Sequence, residues 1–204
     1  TPPIRAGRFH IHTPDHPPMD ANGVTDFVIP ASQAFGTGQH ETTAGCLAML
    51  DAMRRGGVVA RNAIDVGTGT GLLAFAALDL WPRARATASD IDPVCEDVIA
   101  FNMGQNGIAA GSGPGKLTVR IAPGLHDRTL IARAPYDLII ANILAAPLIE
   151  LAPDFALAAA PRANIVLAGL LETQEEAVRR AYARQGFRRA HRLVNGDWSI
   201  LWLR

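Results

Sequence analysis

Three short clusters in this chain carry residue types able to do chemistry, and each falls at the end of a strand-like run. The first is Asp65-Val66-Gly67-Thr68-Gly69-Thr70-Gly71, with glycine at alternate positions. Such a turn bends sharply and lets a ligand approach without interference from Cβ atoms. If it opens a helix, its amides are expected to face that ligand. The second is Asp90-Ile91-Asp92-Pro93. A carboxylate at the position of Asp90 can accept both hydroxyl protons of a ribose, while Asp92, just before Pro93, suits a helix cap. The third is Ala141-Asn142-Ile143-Leu144-Ala145. The carbonyl of an asparagine here could accept a hydrogen bond from an amine and aim its nitrogen for in-line attack; the competing role for Asn142 is capping the helix that opens near Pro147.

Catalysis of this kind needs a scaffold that brings strand ends together. Strand-like runs are predicted at Phe27–Ile29, Ala63–Val66, Arg85–Ser89, Lys116–Ala122, Tyr136–Ala141 and Asn164–Ala168. Helices are predicted from Thr42 or Thr43 as cap, then over Leu72–Leu80, Pro93–Asn106, Pro147–Ala160 and Glu172–Gln185. Phe187–Leu193 and Trp198–Leu203, joined at Asn195-Gly196, read as a hairpin. Repeated β-α-β units imply an α/β, Rossmann-like fold: a mostly parallel central sheet, helices on both faces and an antiparallel C-terminal hairpin. Ligands of such sheets bind beyond the carboxyl ends of the strands, where all three clusters fall. A dinucleotide-type GxGxxG would need glycine or alanine at position 72, which is Leu72; the GxGxG spacing favours the adenosylmethionine type. Ala109–Gly115 reads as a tolerated glycine-rich insertion.

Composition narrows the partners. Nineteen Lys plus Arg balance nineteen Asp plus Glu, so no whole-molecule field draws in nucleic acid or anionic lipid. Lys116 is the sole lysine, a bias read as codon usage. Cys46 and Cys95 lack metal-type spacing and are expected as free thiols of a reducing, cytoplasmic setting. No apolar run is long enough for a membrane span. Residues 1–24, rich in proline and histidine, read as an irregular lead-in, with the regular domain over 25–204. His10, His12 and His16 are expected to be solvated there, since no cysteine or ordered acidic partner accompanies them; no metal is expected.

The loop Ala34-Phe35-Gly36-Thr37-Gly38-Gln39-His40-Glu41-Thr42-Thr43 resembles the signature loop of the bacterial ribosomal protein L11 methyltransferases. Asp65–Gly71, Asp90–Pro93, Asn142–Ala145 with Pro147-Leu148, Leu151–Pro153, Ala168–Leu171 and Trp198 are similar to that family's later motifs, in the same order. The resemblance implies a class I methyltransferase using S-adenosylmethionine. It implies methylation of lysine ε-amines and the N-terminal α-amine of one ribosomal protein. It places cofactor contacts on Thr43, Gly67, Asp90 and Asn142, with Gly69 in the same turn and Asn142 also the catalytic residue. Phe35 either covers the cofactor or belongs to the core, and His40 is expected to brace the loop. Family members carry a separate N-terminal recognition domain, and residues 1–24 resemble the linker that follows it. Other expectations stay open: methylation of another protein, a small amine or a nucleobase, a nicotinamide-dependent oxidoreductase, or a binding module without catalysis. Against nucleobases, Ile143 and Leu144 stand where base-acting enzymes carry Pro-Pro and an aromatic residue.

Overall fold

The computed structural model describes residues 1–34 and 38–204; nothing is described of the side chains of residues 33 and 34. Ten strands and seven α-helices alternate along them. They are β1 (Ile4–Ala6), β2 (Phe9–His12), β3 (Thr25–Val28), α1 (Ala31–Ala34), α2 (Gln39–Arg55), β4 (Asn62–Val66), α3 (Leu72–Leu80), β5 (Arg85–Asp90) and α4 (Val94–Asn106). Then come β6 (Leu117–Ile121), α5 (Arg128–Arg133), β7 (Tyr136–Asn142), α6 (Ala145–Ala158), β8 (Ala159–Leu171), α7 (Glu175–Ala183), β9 (Arg189–Asn195) and β10 (Trp198–Leu203).

The main sheet runs β6-β5-β4-β7-β8-β10-β9, parallel except for β10, which pairs antiparallel with both β8 and β9. Strand order reverses between β4 and β7, so their carboxyl ends flank a crevice. Alternation along the strands sorts the core into two layers. Leu138 and Ile140 of β7 face α2, α3 and α4, and Ile139 and Ala141 face α6 and α7.

Residues 1–24 are only in part the irregular lead-in that their proline and histidine content suggests: 13–24 hold no helix or strand, but β1 and β2 lie before them. β1, β2 and β3 form a separate three-stranded sheet, antiparallel then parallel. Ile4, Phe9 and Ile11 are fully buried in the layer that holds α2 and α3. Phe9 stacks on Phe27 (ring centroids 6.1 Å apart) and Phe27 meets Phe75 of α3 at 6.0 Å. The strands are only three and four residues long, too short for their alternation to stand out among prolines.

Two further differences bear on the site. α2 begins at Gln39 behind a left-handed Gly38, so Thr42 and Thr43 are buried helical residues and not caps. β8 extends well past the predicted stretch, to Leu171, carrying Gly169 up to the end of β7.

Candidate active site

The glycine-rich turn between β4 and α3 has Gly67, Gly69 and Gly71 all at positive φ (71°, 59° and 90°). This is the backbone region that L side chains rarely adopt, and it accounts for the alternate spacing. At Gly67 a Cβ would also stand 2.4 Å from Ile143 Cγ2. The expectation that these amides face a ligand is corrected. Gly67 N and Thr68 N donate to Ser89 O (2.8 and 2.9 Å), and Gly71 N donates to Thr68 O. Gly69 N donates to Asp90 Oδ2 at 2.8 Å. Three of the turn's amides, those of Gly67, Thr68 and Gly69, thus brace it against β5, and that of Gly71 closes the turn on itself.

Asp90, at the end of β5, therefore has a structural bond on each oxygen, since Oδ1 accepts from Asp92 N at 3.0 Å. A carboxylate has about four lone-pair positions, so acceptor capacity is left on the cavity that Asp90 lines. Asp92 accepts from Val94 N at 3.0 Å, the capping role expected of it. Ile91, between these two aspartates, is 69 % exposed on the same cavity wall.

Asn142 ends β7, beside Ala168 of β8. It does not cap α6, whose N-cap residue is Leu144. Instead its Oδ1 accepts from Thr42 Oγ1 at 2.8 Å, and Thr42 Oγ1 in turn accepts from Gly169 N at 2.8 Å. The direction of this relay is forced. A backbone N–H can only donate and a carbonyl oxygen can only accept, so the Thr42 hydroxyl takes the Gly169 proton on a lone pair and gives its own to Asn142 Oδ1. One lone pair of Oδ1 and the two amide protons are then left for a ligand. Gly169 permits the approach: at φ +88°, a Cβ there would lie 2.3 Å from Ile143 O.

These groups line a cavity of about 600 Å³ bounded also by Gly38, Leu144, Glu150 and Trp198, within the usual range for small-molecule sites. A narrower cleft of about 140 Å³ joins Thr43, Gly67, Gly69, Ile4 and Asn142. Gly67 and Asn142 border both spaces. The structure thus places Thr43, Gly67, Gly69, Asp90 and Asn142 around one crevice, whereas Phe35 lies outside the described residues. His40 sits in the first turn of α2. Thr42, Ile91, Glu150 and the wall role of Trp198 were not read from sequence. Thr42 could have been found only by knowing that α2 starts upstream of it, which puts it, and not only its neighbour, on the inward face.

Beneath the turn, Asp65 is buried and accepts from Thr68 Oγ1 at 2.6 Å. Burial pushes its carboxyl up to about 7, with the Thr68 bond opposing that rise and the Asp90 charge adding to it. The two cysteines are free. Burial, then the nearby Asp90 charge, raises the Cys95 thiol to about 11, and burial raises Cys46 further, so neither is an activated nucleophile.

A doubly wound sheet of this order, closed by an antiparallel hairpin and carrying a glycine turn, a strand-end aspartate and a strand-end asparagine around one crevice, defines a class I methyltransferase. The model of the family "Ribosomal protein L11 methyltransferase (PrmA)" matches residues 2–204. A ribosomal protein L11 methyltransferase from Rhizobium meliloti (strain 1021) is 43 % identical over 201 residues, covering 98 % of this chain and 67 % of the relative. One from Mesorhizobium japonicum is 42 % identical over 202 residues, covering 99 % and 67 %. The crystal structure of a ribosomal protein L11 methylase from Lactobacillus delbrueckii subsp. bulgaricus superposes with a TM-score of 0.81 at 27 % identity, over 99 % of this chain and 97 % of that one. The chain belongs to the ribosomal protein L11 methyltransferase family, whose methyl donor is S-adenosylmethionine. It spans about two thirds of the length of these curated relatives.

Proposed function

We propose that this chain transfers methyl groups from S-adenosylmethionine to amines of ribosomal protein L11, at lysine ε-amines, the N-terminal α-amine, or both. The observation that carries this reading is the relay Gly169–Thr42–Asn142, which locks an amide at the boundary of the two spaces and leaves it an acceptor for an amine proton.

Bound S-adenosylmethionine supplies an electrophilic methyl on a sulfonium. The residues fit it. Asp90 has acceptor capacity for ribose hydroxyls, Ile91 offers a bare apolar face for the adenine ring, and Gly67 and Gly69 keep side chains out of its path. Thr43 borders the narrow cleft beside the glycine turn, where the amino-acid part of the cofactor would lie. Asn142 Oδ1 accepts from the incoming amine and aims its nitrogen at the methyl carbon, so the enzyme's contribution is chiefly placement. Glu150, on the same wall, draws in the cationic form of a lysine. The surrounding Ile143, Leu144, Pro147 and Leu151 then favour the neutral amine needed for attack, because desolvation lowers an amine pKa.

The substrate is met as a protein, free or ribosome-associated, without base readout: net charge is zero, and apolar Ile143 and Leu144 follow Asn142. No helix among the described residues is long and apolar enough to cross a membrane. A cytoplasmic setting suits the free thiols and the substrate. The test is calorimetric titration with S-adenosylmethionine and, separately, NADH, followed by mass spectrometry of L11 incubated with methyl-labelled donor. Micromolar binding of the first alone, with mass increments of one methyl on L11, is expected. Binding of NADH, or donor binding without any transfer to L11 amines by this chain and by a version carrying a relative's remaining third, would overturn the proposal.

A further inference from the structure

The small N-terminal sheet presents two faces of opposite character. Phe9, Ile11 and Phe27 point into the core. Because side chains alternate along a strand, His10 and His12 both point to the other face. The parallel pairing sets His10 directly beside Asp26. The ordered acidic partner not expected for these histidines is therefore supplied by Asp26, sixteen residues on from His10.

The three side chains converge closely. His10 Nδ1 lies 2.5 Å from Asp26 Oδ1, and His12 Nδ1 lies 3.2 and 3.1 Å from Oδ1 and Oδ2. The two rings stack with centroids 5.6 Å apart. One ligand-competent atom of each residue falls within 4.8 Å of the others. Both histidines are about 95 % buried (5 % exposed each), and the intervening chain closes over the carboxylate, Met19 N donating to Asp26 Oδ1 at 3.0 Å. The carboxylate itself keeps 21 % exposure, enough for an ion to enter and for water to complete its shell.

From these contacts we propose that His10, His12 and Asp26 form a site for a divalent transition metal of the zinc type, fastening β2, β3 and residues 13–24 together. Two imidazole nitrogens and one carboxylate oxygen are a donor set that zinc and cobalt take, while magnesium and calcium prefer all-oxygen shells. Metal–ligand bonds of about 2.0–2.1 Å at tetrahedral angles put neighbouring donors about 3.3 Å apart. The His12 distances already match, and the His10 contact opens by under about 1 Å. His10 and His12 then turn their Nδ1 lone pairs to the ion in place of donating to Asp26. Without metal the same trio is a closed hydrogen-bonded clasp. The site lies on the outer face of the small sheet, away from the cavity, and takes no part in methyl transfer.

The test uses the untagged chain, stripped with chelator and dialysed. Titration with Zn²⁺ should show one ion per chain by elemental analysis, bound at micromolar Kd or tighter. Co²⁺ should give the intense visible absorption of a four-coordinate site. A hundredfold excess of Zn²⁺ over Kd should raise Tm by about 5 °C or more, and Mg²⁺ should not. Asp26→Asn and His12→Gln keep polar side chains in place and should abolish the cobalt spectrum. Wild-type protein that binds no Zn²⁺ at 50 µM or shows only an octahedral cobalt spectrum would overturn the site. So would Mg²⁺ protecting equally well, or both variants retaining the spectrum. If the variants do not fold, the wild-type measurements decide alone.

Discussion

Asn142 is held by a hydroxyl that has only one way to point. The Thr42 hydroxyl donates to the Asn142 carbonyl while accepting from Gly169 N, which holds that carbonyl toward α2 and leaves its remaining capacity on the cavity. Asn142→Ala should lower kcat for L11 methylation about 100-fold or more, since misplacing a nucleophile costs that much, while the Kd for S-adenosylmethionine changes less than about threefold. Equal losses in kcat and cofactor affinity, read by steady-state kinetics and calorimetry, would move the residue from positioning the amine to holding the cofactor. Thr42→Val keeps the shape and removes the relay. It strands the Gly169 amide at a cost of about 1–3 kcal/mol, and Thr42→Ser should restore both stability and turnover. Asp65 contributes a pH dependence. Its folded carboxyl is raised from 3.8 to about 7, so ionising it is harder in the folded chain than in the unfolded one. The folded state then holds the extra proton, and this group makes stability fall as pH rises from 3.8 to about 7, with no contribution to the slope outside that window. Thermal melts of Asp65→Asn between pH 4 and 7 should show a less negative slope than wild type; parallel slopes would refute the assignment.

Elements with a complete pattern of their own were legible in the sequence. Leu72–Leu80 lies between a glycine turn and Trp81-Pro82, and Trp198–Leu203 follows an Asn-Gly turn; both have the predicted bounds. The parallel order followed from β-α-β repetition, and the crevice followed from that order. What stayed hidden depends on distance. α5 has six residues, too few for a helical period to show, and is marked only by Asp127 accepting from Thr129 N and Leu130 N. The start of α2 was misplaced because threonine before an apolar period suggests a cap; in the fold that period begins earlier, behind Gly38, which has Trp198 of β10 against it. The Thr42–Asn142 bond joins residues one hundred positions apart, and no local signal announces such a bond. Gly169 shows how tightly two elements are fitted at the site. Gly169→Ala would force an L residue to φ +88° with its Cβ 2.3 Å from Ile143 O. The conformation alone costs about 1–3 kcal/mol, so a Tm drop on the order of 5 °C or more is expected, with turnover lost beyond what the melting explains.

At the scale of the whole molecule, the lead-in residues are part of the folded body. Phe9 lies fully buried between the small sheet and the main layer, so Phe9→Ala should cost about 3–5 kcal/mol in urea unfolding, as in other aromatic cores. A loss under about 1 kcal/mol would mean that residues 1–24 behave as a tether after all.

The row of rings from Phe9 through Phe27 to Phe75 ends against the glycine turn, for Gly71 leaves no room for a Cβ beside the Phe75 ring, at 2.8 Å. Ile4 of β1 borders the narrow cleft directly. Two regions that share one rigid packing cannot open independently, and linkage between them runs both ways. Saturating the chain with cofactor should therefore slow amide hydrogen exchange in residues 4–12 as well as in 67–72, although the narrow cleft is lined by only Ile4 among the former. Conversely, anything that loosens β1 and β2 should surface as a faster cofactor off-rate.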